Sequence, residues 1–352
     1  MTTAEQTSPQ LPASGPSSYL DSLPERKIPW LEKVLGPEFY RIVKGILSNP
    51  LSVIGLSLLI VIILVAVFAP AIAPPANKRE PFMVPRDGFS PTPKVPGTEW
   101  RTRPPDQPFW FGLFGKEEWT HIFGTTGGQY DLFYGVVWGT RTALKVGLIV
   151  EGLSVLIGIL VGAMSAFYGG WIDNSLMRIT EIFMAFPFLL AALTLSAILT
   201  PVIGKGIWPP LIALVAFGWM GYARIIRGDI LSVRERDYIM ASRVIGVKDR
   251  RIISKHIIPN AIYPTLIYAS LNISGTVITF AALSFLGIGT EIGYADWGQL
   301  ISFARNWIPA LGQYWYIVVF PGIALLVFSL GWNLLGDALR DIMDPRMRGR
   351  GA

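Results

Sequence analysis

The chain has 352 residues, 51% of them apolar and 15% charged, with a formal net charge of +6. Soluble globular chains carry about 25% charged residues; this balance, with a mean hydropathy of +0.46, excludes a soluble enzyme, a disordered chain and a nucleic-acid binder. There is no cysteine, which excludes disulfides, thiolate metal centres and thiol catalysis. Two histidines, His121 and His256, are too few for a histidine-rich metal site.

Residues 1–24 are rich in Ser, Pro and Thr and read as disordered. Residues 28–48 read as an interfacial helix interrupted near Gly36-Pro37, closing a tail over 1–48. The run Leu51–Ala69 holds 14 Leu, Ile, Val or Phe in 19 positions. At roughly −0.3 to −0.6 kcal/mol each they favour insertion by about −4 to −8 kcal/mol. It begins too far into the chain for a cleaved signal peptide. This first transmembrane helix occupies 49–73. Five further spans read as Lys145–Phe167, Ile182–Thr200, Pro209–Ile226, Ile262–Gly287 and Tyr316–Gly336, within a transmembrane region over 139–338. The expected fold class is all-α, a polytopic membrane protein with six transmembrane helices.

The segment 74–138 between spans 1 and 2 is long and Pro-rich, with Trp100, Trp110 and Trp119. Its aromatics are expected either on the membrane surface or against an outside partner, and His121 shows no evident partner. Charge sets the direction of threading, because Lys and Arg favour the cytoplasmic side of short loops. Loops 201–208 and 288–315 hold only Lys205 and Arg305, against 19 basic residues in the opposite loops and tails. Both termini, including the tail 339–352, are therefore expected in the cytoplasm.

Inside span 2, Ser154, Gly158, Gly162 and Ala166 place a small residue every four positions. Such a strip lets helix backbones approach in lipid. Glu151 lies one turn earlier, near the outer end of the span as read here. Structural pairing and a role in a solute path both remain open for it. In span 5, Tyr268, Asn272, Thr276 and Thr279 share one helical face; this face either lines a path or hydrogen-bonds to other helices. Pro187 and Pro321 are expected to kink spans 3 and 6, and Asp173 and Glu181 to be solvated near the cytoplasmic end of span 3.

The loop between spans 4 and 5 is too long and too charged for a simple connection. From Asp237 to Ile245 the spacing is helical, with Tyr238, Ala241 and Ile245 on one face. Gly246 ends it as a residue that tolerates left-handed torsions. Asp249 is placed to cap a second short helix running to Ile257, and Pro259 is expected to break the path before span 5. A short stiff helix held between two spans is a lever, and a partner gripping it would move spans 4 and 5 together. Arg243 either bridges to an acid on that partner or enforces topology. His256 belongs to the contact.

This loop resembles the cytoplasmic motif of the inner-membrane permease subunits of ATP-binding-cassette importers. The similarity is to the oligopeptide/dipeptide/nickel branch, and within it to the second, permease-C-like type. Asp237-Tyr238, Ala241, Arg243, Gly246, Arg251, His256, Pro259 and Asn260 follow the branch pattern. Met240-Ala241-Ser242 replace the general family's Glu-Ala-Ala, and Ile258 replaces Leu. Further similar segments follow in order: Tyr168-Gly169-Gly170-Trp171, Gly221-Tyr222-Ala223-Arg224, Ala282–Gly287, Asp296-Trp297-Gly298 and Asn333–Asp337 through Asp344-Pro345-Arg346. The family's Gly-Thr-Asp turn before span 2 is represented only by Gly124-Thr125-Thr126 and Gln129-Tyr130-Asp131.

The resemblance implies the type I ABC importer permease fold in a prokaryotic inner membrane. It implies a transport subunit that hydrolyses nothing, with coupling through 237–259 carried by Asp237, Ala241, Arg243, Gly246, Asp249, Arg251, His256 and Pro259. It implies a homologous second permease, two ATPase subunits holding ATP and Mg, an external substrate-binding protein and peptide cargo. The chain itself lacks a phosphate-binding loop of the G-x-x-x-x-G-K-[ST] type, so no cofactor is expected on it. Apart from membrane lipid no other partner is implied, nucleic acid least of all. An ion-gradient-driven secondary transporter is the alternative; it would need buried ionisable groups or broken helices in paired repeats. An intramembrane enzyme would need a catalytic set within the bilayer.

Overall fold

The computed structural model describes residues 36–102, 105–108, 110–111 and 119–343; the stretch 1–24 and the arginines of the tail beyond 343 lie outside them. The chain divides into two units, Met1–Lys44 and Gly45–Ala352. The described residues of the first open helix α1 (Pro37–Ser48), directly after Gly36 at φ +78°. The helix thus starts where the sequence signals an interruption.

The second unit is built on long helices. In α2 (Pro50–Ile72), Asn49 caps the start by accepting the Leu51 N–H at 3.0 Å, and Pro50 sits where a missing N–H has no intrahelical partner to lose. Leu51, Ile54, Val61 and Phe68 are exposed along it, an apolar exterior that suits lipid. Helix α3 (Leu132–Tyr168) is 37 residues long and is capped by the Asp131 carboxylate on Tyr134 N at 2.8 Å. It starts 13 residues before the expected span. Glu151 therefore lies near the middle of its helix, and not near an outer end.

Helices α4 (Gly170–Met184) and α5 (Phe188–Ile203) are bent by 86° at the break between them. Pro187 supplies no N–H to bridge the break and disfavours helical torsions at Phe186. The sequence suggests a kinked span preceded by a loop; the structure has a corner between two helices, with 170–181 helical. Helix α6 (Trp208–Arg234) follows, then α7 (Asp237–Val244), α8 (Asp249–Ile252), a π-helical turn (Ile253–Ile257) and α9 (Ile258–Ala261). Helix α10 (Tyr263–Phe285) leads to α11 (Trp297–Ser302), a 3-10 turn (Arg305–Ala310), α12 (Leu311–Tyr314) and α13 (Tyr316–Met343), which passes through Pro321 as one helix. Among the described residues, α2, α3, α6, α10 and α13 are long and apolar enough to cross a membrane; the bent pair makes a sixth crossing if counted as one span.

The principal crossing is α3 on α6, and the small residues explain it. A Cβ on Gly158 would sit 2.3 Å from Tyr222 Cβ, and one on Gly162 would sit 2.4 Å from the Ala223 carbonyl oxygen. Ser154 meets Gly218 in the same way, and Ala166 is fully buried. The first half of α3 is fixed elsewhere. Trp138 Nε1 donates to Ala73 O at 2.8 Å, Thr142 Oγ1 to Ala295 O at 2.7 Å, and Arg141 to Ala66 O.

The described residues between α2 and α3 are folded. A two-residue antiparallel ladder, β1 (Thr98–Glu99) with β2 (Thr120–His121), organises them. His121 is fully buried, with Nδ1 2.7 Å from Asp131 and Nε2 3.1 Å from Asp87. The sequence shows it no partner because its partners lie 10 and 34 residues away. Asp87 is also bound by Lys94 and by the amides of Arg101 and Thr102. Burial pushes its carboxyl upward, but these bonds outweigh burial and hold it well below the usual carboxylate range. The three tryptophans pack within the protein, whereas Phe89 is exposed. Trp100 packs on the His121 ring with centroids 4.1 Å apart, Trp110 Nε1 donates to Ile72 O, and Trp119 is buried against Phe111.

Candidate functional site

Two regions concentrate groups that packing alone does not require. The first is a cavity of about 470 Å³ between α3, α6, α10 and the corner before α5. Tyr268, Asn272, Thr276 and Thr279 all line it, together with Glu151 and Tyr222. The two readings of the α10 face are not exclusive. Thr276 donates to the Glu151 carboxylate, and Asn272 Nδ2 donates to Tyr222 Oη at 3.3 Å, so the lining groups also join helices. Tyr222 Oη donates to the other oxygen of Glu151. The Tyr222 and Tyr268 rings meet edge to face at 5.2 Å. The strip on α3 makes this geometry possible: Gly158 lets the Tyr222 backbone approach closely enough for its hydroxyl to reach Glu151, one helix away.

A second cavity of about 430 Å³, lined by Arg178, Arg224, Arg227 and Glu181, has the opposite character, and its Arg224 reaches Met184 at the edge of the first. Asp173 is not solvated as expected. Arg227 donates to both of its oxygens at 2.6 Å, and Ser165 donates to it as well, so α3, α4 and α6 are tied at one point. Glu181 is exposed and pairs with Arg178 at 3.1 Å.

The second region is the elbow from α7 to α9. Ile239, Ile252 and Ile257 are fully buried among Ala163, Ala166, Phe167, Ile226, Ile230 and Val233. Burying each such side chain contributes about 1.5–3 kcal/mol. The elbow is thus keyed to the ends of α3 and α6, that is to spans 2 and 4, and is no free hinge. Arg234 adds a bond to Ala166 O at 2.8 Å, and the Arg243 guanidinium lies 5.5 Å from the centre of the Phe167 ring. Gly246 has φ +76°, and a Cβ there would meet nothing within 4 Å; torsion, not crowding, requires glycine. Asp249 opens α8 but makes no side-chain cap. Pro259 lies in the first turn of α9, immediately after the π-helical turn, and does not break the helical path. Asp237, Ala241, Arg243, Asp249, Arg251 and Pro259 are exposed, and His256 is half-buried.

Sequence reasoning passed over Val244 and noted Met240 only as a departure from the family motif. Both are exposed, Val244 at 86%, and they join Tyr238 and Ile245 in an apolar outer surface on the elbow. Their alternation with buried Ile239 was the available signal. Tyr222 was noted only as part of a motif; nothing local marks it as the partner of Glu151.

Together these features define a polytopic helical transport protein, with a polar cavity inside the bundle and a charged elbow at one end of α6. Residues 154–349 match the family described as "Binding-protein-dependent transport system inner membrane component". Residues 39–85 match the "N-terminal TM domain of oligopeptide transport permease C". The chain is 34% identical over 301 residues to the oligopeptide transport system permease protein OppC of Bacillus subtilis (strain 168), covering 86% of this chain and 87% of that one. It is 32% identical over 305 residues to the dipeptide transport system permease protein DppC of Alkalihalophilus pseudofirmus, covering 87% and 89%. A solved inward-facing structure of the MetNI methionine ABC transporter shares the fold, with a TM-score of 0.50 at 17% identity over 60% of this chain and 98% of that one. The chain belongs to the binding-protein-dependent transport system inner membrane components. It is a multi-pass inner-membrane transport component with the ABC importer permease fold.

Proposed function

We propose that the chain is one membrane-spanning half of an ATP-driven peptide importer, paired with a homologous permease. In this reading two ATPase subunits, carrying ATP and Mg, engage the elbows of the two permeases from the cytoplasm. An external binding protein delivers the solute. Peptide cargo is supported by the similarity to oligopeptide and dipeptide transport permeases.

The observation that carries the coupling role is the two-sided elbow. Its inner side is fixed to α3 and α6 by three fully buried isoleucines. Its outer side exposes Val244, Ile245, Met240 and Tyr238 beside Arg243, Arg250 and Arg251. An exposed apolar patch rimmed by charge is the signature of a protein contact. A partner that grips the outer side moves α3 and α6, which frame the cavity. The chain supplies path and lever, and the partner supplies the nucleotide cycle.

The test is to replace Val244 and Ile245 with serine in the assembled transporter. Both are exposed, so insertion and folding are expected to persist. ATPase copurification and ATP-dependent uptake are each expected to fall at least about tenfold, as removal of apolar contact residues does. Retained ATPase binding would overturn the elbow assignment. Uptake that survives ATP depletion but collapses with the proton gradient would favour the ion-driven alternative instead.

A further inference from the structure

Glu151 is a carboxylate near the middle of a membrane-crossing helix, 6% exposed, with two hydrogen-bond donors and no counter-charge. Its donors are the hydroxyls of Tyr222 and Thr276, which lower the cost of burial without neutralising the group. Among the described residues no Lys, Arg or His pairs with it. None of the residues lining the cavity is basic. The contrast with Asp173 is internal to the molecule: that carboxylate, near the other end of α3, has a bidentate arginine. A purely structural acid would be expected to have acquired the same, because an uncompensated charge in lipid is expensive.

We infer that the cavity is an ammonium-recognition site centred on Glu151, which takes the free amino group of the solute. This rests on the importer reading above and specifies its cargo. The volume of about 470 Å³ falls within the roughly 300–1,000 Å³ of small-molecule sites. The remaining lining fits a cation. Asn272 uses its amide nitrogen on Tyr222 and keeps its carbonyl oxygen as an acceptor. Tyr222 and Tyr268 contribute aromatic rings to the lining, a residue type that attracts ammonium groups, and Phe186 and Phe188 bound the apolar side. An anionic group is repelled here. The second cavity offers it Arg224, which touches Met184 Sδ, at the edge of this one, at 3.7 Å and, among the described residues, is paired with no carboxylate, unlike Arg178 and Arg227. An amine and a carboxylate at opposite ends of one solute therefore find matching charges in the two cavities. The shared chemistry has two sources, the α-amino group of a peptide and the ε-amino group of a lysine side chain.

The chain has no cysteine, so Thr279→Cys gives a single reporter on the cavity wall. In the assembled transporter, its rate of reaction with a trimethylammonium thiosulfonate is compared with that of a sulfonate analogue, and labelling is read on this chain by mass. With each rate divided by the same reagent's rate on free cysteine, the cationic reagent is expected to react at least about tenfold faster, because an enclosed charge concentrates counter-ions. Glu151→Gln is expected to level the two rates. A ratio unchanged by Glu151→Gln overturns the proposal. Transport in proteoliposomes supplies the second reading, with trialanine, N-acetyl-trialanine and N-acetyl-Ala-Lys-Ala, each rate divided by its occupancy of the external binding protein. Glu151→Gln is expected to lower trialanine uptake about tenfold, the loss of one ion-pair contact, with N-acetyl-trialanine unaffected. Glu151-dependence of the N-acetylated lysine peptide would identify the side-chain amine as a second source; independence would confine the site to α-amino groups. Equal loss for all three peptides, or for none, overturns it. Should the wild type show no ATP-dependent uptake of any of them, the importer reading fails, while the reagent ratio still decides whether the cavity selects cations.

Discussion

The crossing of α3 and α6 gives the sharpest test of how this bundle is held together. In Gly158→Ala the new methyl lands 2.3 Å from Tyr222 Cβ and 2.9 Å from Trp219 O. In Gly162→Ala it lands 2.4 Å from both Ala223 O and Ile226 Cγ2. Carbon contacts settle near 3.5–4.0 Å, so either helix must retreat by about an ångström or more. Three of these four atoms are backbone or Cβ and cannot swing aside. Overpacking of this kind costs about 1–3 kcal/mol. Removing a helical glycine returns up to about 1 kcal/mol through propensity. A net loss of about 1–2 kcal/mol is expected from each. Gly152→Ala is the control, because its methyl meets nothing within 4 Å; it is expected to be neutral or to gain up to about 1 kcal/mol. Thermal unfolding of the purified chain in detergent should rank Gly152→Ala at or above wild type and the other two below it. Gly158→Ala also pushes on Tyr222, whose hydroxyl holds Glu151, so it should impair uptake more than Gly162→Ala does. If both variants unfold within about 0.5 kcal/mol of wild type, as neutral substitutions do, close backbone approach is not what holds α3 to α6.

Three further outcomes follow from the geometry. Gly246→Val forces a β-branched residue to φ +76°, at about 1–2 kcal/mol, and should cut uptake severalfold with insertion intact, whereas Gly246→Asn, which tolerates that torsion, should transport close to wild type; equal uptake by the two variants refutes the torsional argument. Asp173→Asn removes a bidentate pair that is one-third exposed at Arg227; discounted for that exposure, the loss should be about 1–2 kcal/mol, and a double-mutant cycle with Arg227→Leu should show coupling of that size. Burial raises the Asp296 carboxyl to about 6, against the opposing bonds from the Gly298 amide and Thr290. A raised carboxylate contributes most below its unfolded value near 3.8 and loses that contribution as pH rises through 6. Between pH 5 and 8 the wild type should therefore lose about 1.4 kcal/mol relative to Asp296→Asn, the rest of the roughly 3 kcal/mol falling below pH 5, read as unfolding temperature at each pH; Asp87, held low, stays ionised throughout this window.

Most of the bundle was legible because lipid leaves a chain few options: an apolar run of some 20 residues must be a helix. What was illegible shares a physical cause. Residues 170–181 carry Asp173, Arg178 and Glu181, so they read as a loop although they form α4. Pro187 announces a missing N–H but not a direction, and an 86° corner was read as a kink. The first turns of α3, with Tyr134, Trp138 and Arg141, look external, which displaced Glu151 from the middle of its helix to an end. The His121 cluster depends on pairings across 10 and 34 residues, which no local pattern encodes. In the elbow, the positive φ at Gly246 was readable from the residue type. The π-helical turn before Pro259 was not, since a proline's freed carbonyl partner can be accommodated by a longer turn as well as by a break.

The same interactions bear on how movement at the elbow would reach the cavity. Helix α6 carries Tyr222 against Glu151 and, three turns later, Arg234 against Ala166 O. Arg227 lies between them, clamped to Asp173 on α4. A displacement of α7 and α8 therefore acts on a rod that is fixed to α3 at both points and to α4 at one. Either the clamp holds, and α3, α4 and α6 move as a block past α10, or it opens and α4 separates. The first option strains the two bonds that reach across to α10, Thr276 to Glu151 and Asn272 to Tyr222. The second breaks three charge-assisted bonds to the Asp173 carboxylate, two from the partly exposed Arg227 and one from Ser165. Block motion with sliding at α10 is thus the lower-energy route. It moves the wall carrying Tyr268, Asn272, Thr276 and Thr279 past the carboxylate that would hold the solute.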